Sequence, residues 1–358
     1  MNIRKRIVLF IFAVACLLSC GCGAPAASPA VSSESVEFTD DCGRTVYVPE
    51  KIESVAVSGP LAQIYLIPLC SDLFVGVSTD YSTNMLKYLP EELASIPMLG
   101  QLYGGKGTMD LEQLLAAAPD VVIDVGEQKG SMADDLSELS ERSGIPFIHI
   151  EATVETAPAA YRKLGMLLGR QEKAEQLAVW CENTLGEIEA IMARVDEDDA
   201  RKSLIYCLGD KGLNVLADGS YHAETIAFIA ENAAKCSDVS SSGLGNEIDF
   251  EQLMLWNPEY IVFAPGSAYS ECMADPSWQQ LDALKSGNCF ETPAGPYGWL
   301  QSPPSIQRYL AMLWIPSLLY PEYCTYDLQE EVTEYYRLFY GYELSEEDYA
   351  SLTIRALK

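Results

Sequence analysis

Asp110-Leu111-Glu112-Gln113-Leu114-Leu115 leads, past Ala116 to Ala118, into Pro119-Asp120 and the apolar run Val121-Val122-Ile123. The pattern returns as Asp249-Phe250-Glu251-Gln252-Leu253-Met254, then Pro258-Glu259 and Tyr260-Ile261-Val262-Phe263. Each copy predicts a short helix feeding a buried strand. Asp110 or Asp249 accepts at the N-cap, Gln113 or Gln252 at N3 completes a capping box, and Pro119 or Pro258 stops the helix. The aspartates and the prolines are separated by the same interval. One helix-then-strand unit used twice, so far apart, predicts two similar α/β lobes rather than a short-period solenoid. Two lobes leave a cleft between them, where function is expected.

Working outward, 38–49 reads as a small hairpin about a turn. Ser54-Val55-Ala56-Val57 and Leu73-Phe74-Val75-Gly76-Val77 read as strands, and with 121–125 and 147–150 they make a mainly parallel sheet. These fill a first lobe over 36–155. The segment 156–196 is rich in Ala, Leu, Glu, Lys and Arg, and its apolar residues recur at helical spacing through Leu177, Trp180, Leu185, Ile188 and Ile191. Its weak points are Gly165, Gly169 and Gly186. A helix of about 25 residues runs roughly 35 to 40 Å, enough to join the lobes rigidly and to make large hinge closure unexpected. A second lobe over 197–358 has strands at 203–207, 260–263 and 289–291, a helix from 306 that stops before Pro316, and a Tyr-rich helical tail packed on its outside.

At the start, Arg4-Lys5-Arg6, an apolar run over 7–18 and Leu17-Leu18-Ser19-Cys20 read as a signal peptide over 1–19. Leu at −3 and Ser at −1 match the bacterial lipobox, which makes Cys20 the lipidated first residue; Cys22 is the alternative. Residues 20–35 are the tether. Past it, roughly 320 residues suffice for two lobes. A net charge of −29 argues against nucleic acid and against docking on anionic lipid. The cysteines show no CxxC pair or zinc pattern, and no disulfide is assigned. There is no GKS/T loop, no HExxH and no GxSxG, so no catalytic residue is named.

Thr39-Asp40-Asp41-Cys42-Gly43-Arg44-Thr45-Val46-Tyr47-Val48-Pro49, the strand end Gly76-Val77-Ser78-Thr79-Asp80, Leu99-Gly100 before the first repeat, and the lobes joined by a long helix resemble the ABC-transporter solute-binding proteins for iron complexes and cobalamin. The resemblance covers about 36–340. It implies two Rossmann-like lobes joined by a long rigid helix, with a shallow ligand cleft between them. It also implies a monomer tethered to the outer face of the cell membrane, without enzymatic activity. Its cargo would be a siderophore, haem or corrinoid, passed to a permease dimer with its ATPase subunits; no cofactor is expected. The resemblance further implies one docking glutamate on each lobe, meeting Arg residues of the permease, at Glu112 and Glu251. A carboxylate in a first helical turn is also favoured by the helix dipole alone.

Ligand groups are sought in loops at the carboxyl ends of the strands. They are Ser58, Tyr81, Glu127, Tyr221, His222, Tyr297 and Trp299, with Tyr103 and Lys106 just before the first repeat. Tyr297 and Trp299 could offer flat faces to a planar ligand, or plug the underside of the lobe. Tyr81 and Tyr221 could bring phenolate to ferric iron, or hydrogen bonds to its chelate. Lys129 and Lys211 are further loop cations. The histidines are two, His149 and His222; His149 reads as a satisfied strand residue, and so few argue against a zinc or manganese site. An exported enzyme using Tyr221, His222 and Glu127 is the rival function, and an adhesion lipoprotein a third.

Overall fold

In the computed structural model, which describes residues 35–102 and 107–358, both copies of the repeat fold alike. The helices Leu111–Ala117 and Phe250–Trp256 each start at an aspartate N-cap: Asp110 accepts from the amides of Glu112 and Gln113, and Asp249 from that of Gln252. Each buries one leucine, Leu114 or Leu253, and ends on a left-handed residue, Ala118 (φ 46°) or Asn257 (φ 39°). The capping box is incomplete. Gln113 Nε2 donates to the Asp110 carboxylate at 3.0 Å rather than the glutamine accepting the N-cap amide. The acid after each proline then ties the next strand to its neighbour. Asp120 accepts the Ser54 amide at 2.9 Å while Ser54 Oγ accepts the Asp120 amide at 2.9 Å. Glu259 and Ser203 repeat the exchange at 3.0 and 3.0 Å.

Strands β1 (Ser35–Thr39) and β2 (Thr45–Pro49) form the antiparallel hairpin. In the first lobe β3 (Val55–Val57), β4 (Phe74–Gly76), β5 (Val121–Gly126) and β6 (Phe147–Glu151) are parallel in the order β4-β3-β5-β6. The second lobe has β7 (Ser203–Leu208), β8 (Asn214–Val215), β9 (Glu231–Asn232), β10 (Asn246–Glu247), β11 (Tyr260–Phe263) and β12 (Cys289–Glu291). Their order is β10-β8-β7-β11-β12, and β9 pairs with the start of β7. The repeat strand is thus central in each parallel core, β5 between β3 and β6 and β11 between β7 and β12.

Alternation along these strands divides the core. Val121, Ile123 and Val125 of β5, with Tyr260 and Val262 of β11, face one continuous apolar cluster that runs through both lobes. Val122 faces a smaller cluster with Leu114, and Ile261 and Phe263 face another with Leu253. Each repeat helix therefore covers the outer face of its own sheet, and the inner faces share the central core.

The connector is two helices, Ala157–Leu168 and Gln171–Glu197, because Gly169 takes φ 65° and ends the first. The second has 27 residues, a length of about 40 Å. Gly165 and Gly186 have opposite roles. A Cβ on Gly165 would lie 2.3 Å from the Ala174 Cβ of the second helix, whereas one on Gly186 meets nothing within 4 Å. Gly165→Ala is expected to destabilise by about 1–3 kcal/mol through overpacking. Gly186→Ala is expected to stabilise by about 0.5–1 kcal/mol by reducing unfolded-state freedom. Urea unfolding of the two variants checks both signs; equal effects would refute the assignment.

Two expectations about the second lobe are corrected. The helix Arg308–Leu319 passes through Pro316, which brings no amide to the Met312 carbonyl one turn back, and it ends only at Tyr320. The tail packs on both lobes, not outside one. Tyr88 of the first lobe meets Tyr336 and Tyr342 edge-on at 5.6 and 5.0 Å, and Trp180 of the connector meets Tyr335 and Phe339 at 5.3 and 5.2 Å. Further along, Trp314 Nε1 donates to the Ala356 carbonyl at 2.7 Å. No helix among the described residues is long and apolar enough to cross a membrane. The described cysteines are free thiols, and burial pushes those of Cys70 and Cys207 upward.

Candidate functional site

At the carboxyl end of β3 the chain turns at Ser58-Gly59 into the helix Pro60–Cys70, and at the end of β5 it turns at Gly126 into Glu127, Gln128 and Lys129. These turns form one wall of a cavity of about 840 Å³. Tyr221, His222 and the loop Ser241-Ser242-Gly243 form the facing wall. The helix starts at Gly59 without a side-chain cap, so the positive end of its dipole opens on the cavity.

Asp124 lies in the floor, only 7% exposed. Its carboxylate accepts the Ser58 hydroxyl and, at 2.7 Å, His149 Nδ1. Register brings the two together, because Asp124 of β5 stands beside His149 of β6. His149 is wholly buried, and its Nε2 has no partner among the described residues. The carboxylate thus fixes the tautomer with the proton on Nδ1, since a proton on Nε2 would be a buried donor without an acceptor.

On the other wall His222 Nδ1 contacts the side-chain amide of Gln301, at 2.9 Å from Nε2, and that amide donates to the Gly243 carbonyl at 3.2 Å. This orients the ring. Tyr221 is spent on the lobe contact: its hydroxyl donates to the Ala152 carbonyl at 3.1 Å and receives Arg308 Nη2 at 3.2 Å. Burial raises the Tyr221 phenol, against which Arg308 pulls it down, so the neutral donor is the form present. Arg308, 3% exposed, lies 4.8 Å from the ring and pairs with Glu224. Glu224 in turn accepts the Val154 amide at 3.1 Å, Tyr309 Oη donates to the Val154 carbonyl at 2.6 Å, and Ser305 Oγ donates to the Leu61 carbonyl at 2.9 Å. The base of the cleft is therefore locked across the lobes.

Ser58, Glu127, Tyr221 and His222 are brought to one cavity, and Lys129 joins them. The aromatic platform is not there. Trp299 is 0% exposed and packs edge-on against Trp314 at 6.3 Å; Tyr297 is also buried, and neither lines the cleft. Their loop closes on itself, with Gly298 bridged to Ala294 and the Trp299 amide donating to the Pro293 carbonyl, and both rings are carried into the core. Tyr81 also stands outside the lining, its phenol raised by burial, so neither it nor Tyr221 is a ready phenolate. Lys211 borders a different depression. Tyr103, Lys106, Cys20 and Cys22 lie outside the described residues. Sequence reading missed Asp124, Gln301 and Arg308. A lone carboxylate in the apolar run 121–125, just before its strand end, was the signal for the first. Among the described residues no group of three His, Cys, Asp or Glu is placed to hold a metal ion.

Glu112 and Glu251 are exposed, one on each repeat helix, and neither lines the cleft.

Residues 74–296 match the family model described as periplasmic binding protein. Comparison with curated protein sequences finds no match. Among solved structures, an ABC transporter solute-binding protein from Sulfurospirillum deleyianum is 28% identical, with 88% of this chain and 98% of that one covered and a TM-score of 0.81. The molybdate periplasmic binding protein MolA of Haemophilus influenzae is 20% identical (87% and 99% covered, TM-score 0.65). The catecholate-siderophore binding protein VctP of Vibrio cholerae is 19% identical (72% and 91% covered, TM-score 0.52). At those identities the last two speak for the fold alone. With two α/β lobes, a rigid helical connector, a cleft at the strand ends and a family match over more than half its length, the chain belongs to the periplasmic binding protein family, the solute-binding components of ABC transporters.

Proposed function

We propose that the protein captures an iron complex, a siderophore before haem, and delivers it to the permease of an ABC importer. The observation that carries this is the cleft. Its 840 Å³ suits a chelate rather than a bare ion, and its walls offer hydroxyl, imidazole, amide and carboxylate groups. Burial of Trp299 and Tyr297 removes the flat faces on which the haem and corrinoid readings leaned, which favours the siderophore. An enzyme on this scaffold has little to use, because the Tyr221 hydroxyl is committed to Ala152 and Arg308.

A thermal-shift panel of ferric siderophores, haem and cobalamin tests the reading. Ligand at a hundred times its dissociation constant adds about 2.7 kcal/mol of stability, a readily seen rise in Tm. A rise with ferric siderophores is expected; a rise with cobalamin alone would move the cargo to corrinoids, and none at all would remove the reading.

We also propose that Cys20 carries the lipid anchor. Cys20→Ala is expected to release the protein from the membrane fraction in a fractionation blot. Retention of that variant, with release only on Cys22→Ala, would place the anchor two residues on.

A further inference from the structure

We infer that the cleft selects metal chelates without net negative charge, such as uncharged or cationic ferric trihydroxamates, and rejects anionic ones such as ferric tricatecholates. This rests on the iron-complex reading and names its substrate class. Among the described lining residues there are two carboxylates, Asp124 and Glu127, against one ammonium, Lys129. Arg308, behind Tyr221, has its charge answered by Glu224. Asp124 instead bonds the Ser58 hydroxyl and His149 Nδ1.

The opposing feature is the helix start at Gly59, worth about half a positive charge. Asp124, bonded to the residue just before it, offsets that. A trianionic chelate seated here would face the two carboxylates in a partly desolvated cleft, where each unit repulsion costs about a tenfold loss of affinity or more. An uncharged trihydroxamate brings amide carbonyl and N–H groups that Ser58, Asp124 and the Ser241-Ser242 loop can meet without paying repulsion. The protein's net charge of −29 acts in the same direction at longer range and slows the approach of anions.

Fluorescence titration of the full-length protein with three ferric probes tests this: ferrichrome (uncharged), ferrioxamine B (cationic) and ferric enterobactin (trianionic). The expected result is binding of ferrichrome or ferrioxamine B about a hundredfold tighter than ferric enterobactin, with the gap narrowing as salt rises. Glu127→Gln, at an exposed position that cannot disturb the core, should narrow the gap by about tenfold, chiefly by strengthening the anion. Asp124→Asn should narrow it further. Equal or tighter binding of ferric enterobactin overturns the inference and leaves the iron-complex reading intact. Binding of none of the three overturns both.

Discussion

Changing both Glu112 and Glu251 to Lys is expected to cut uptake through the permease by about a hundredfold while ligand affinity stays within about twofold. The two carboxylates are set alike, each two residues past an aspartate N-cap on a helix that covers the outer face of its sheet. Among the described residues neither makes a hydrogen bond or an ion pair, so the fold uses them only through the helix dipole, about 0.3–1 kcal/mol each. Beside each stands exposed apolar surface, Leu115 at 45% and Leu255 at 78%, the latter one turn on from Glu251. An acid flanked by an open leucine suits a basic partner surface with apolar sites. Reversal brings like charges together there, which costs association more than removal does. The single Lys variants should each lose about tenfold. A double variant that binds ligand normally and still transports at full rate would reduce both glutamates to helix-start carboxylates.

The repeat was legible because its signals are local: an N-cap aspartate, a helix-ending proline and an apolar run each act within one turn, so sequence carries them whole. Tertiary detail was harder. Trp299 follows Tyr297-Gly298 in what reads as an exposed loop, and only the bridge that closes that loop on itself, with Trp314 packed against the ring, shows that it is core. Asp124 looked like a strand residue among valines, and its meaning depended on register with His149, which no single strand reveals. The tail's place across both lobes was likewise out of reach, because its tyrosines have helical spacing whichever surface they cover.

Arg308→Met is expected to cost about 3 kcal/mol in urea unfolding and to weaken ligand binding about tenfold. Arg308 is buried at the base of the cleft, where its guanidinium pairs with Glu224, donates to the Tyr221 hydroxyl and stacks on that ring. Removing it leaves Glu224, whose side chain is 26% exposed, with an unanswered charge still tied to the Val154 amide of the other lobe. The loss is thus the cost of orphaning a carboxylate more than the worth of the pair. Arg308→Met with Glu224→Gln removes both charges, and should recover over half of the stability; a double-mutant cycle should show coupling of about 1.5 kcal/mol or more. Binding should not recover in parallel. Tyr221 and His222 are adjacent on the wall that Arg308 holds against Ala152, so the double variant keeps the fold but leaves that wall loose. Separation of the two readouts is the decisive feature. A single variant that unfolds within about 0.5 kcal/mol of the parent would mean that the lobes are held by the shared apolar core alone, with the polar latch adding nothing.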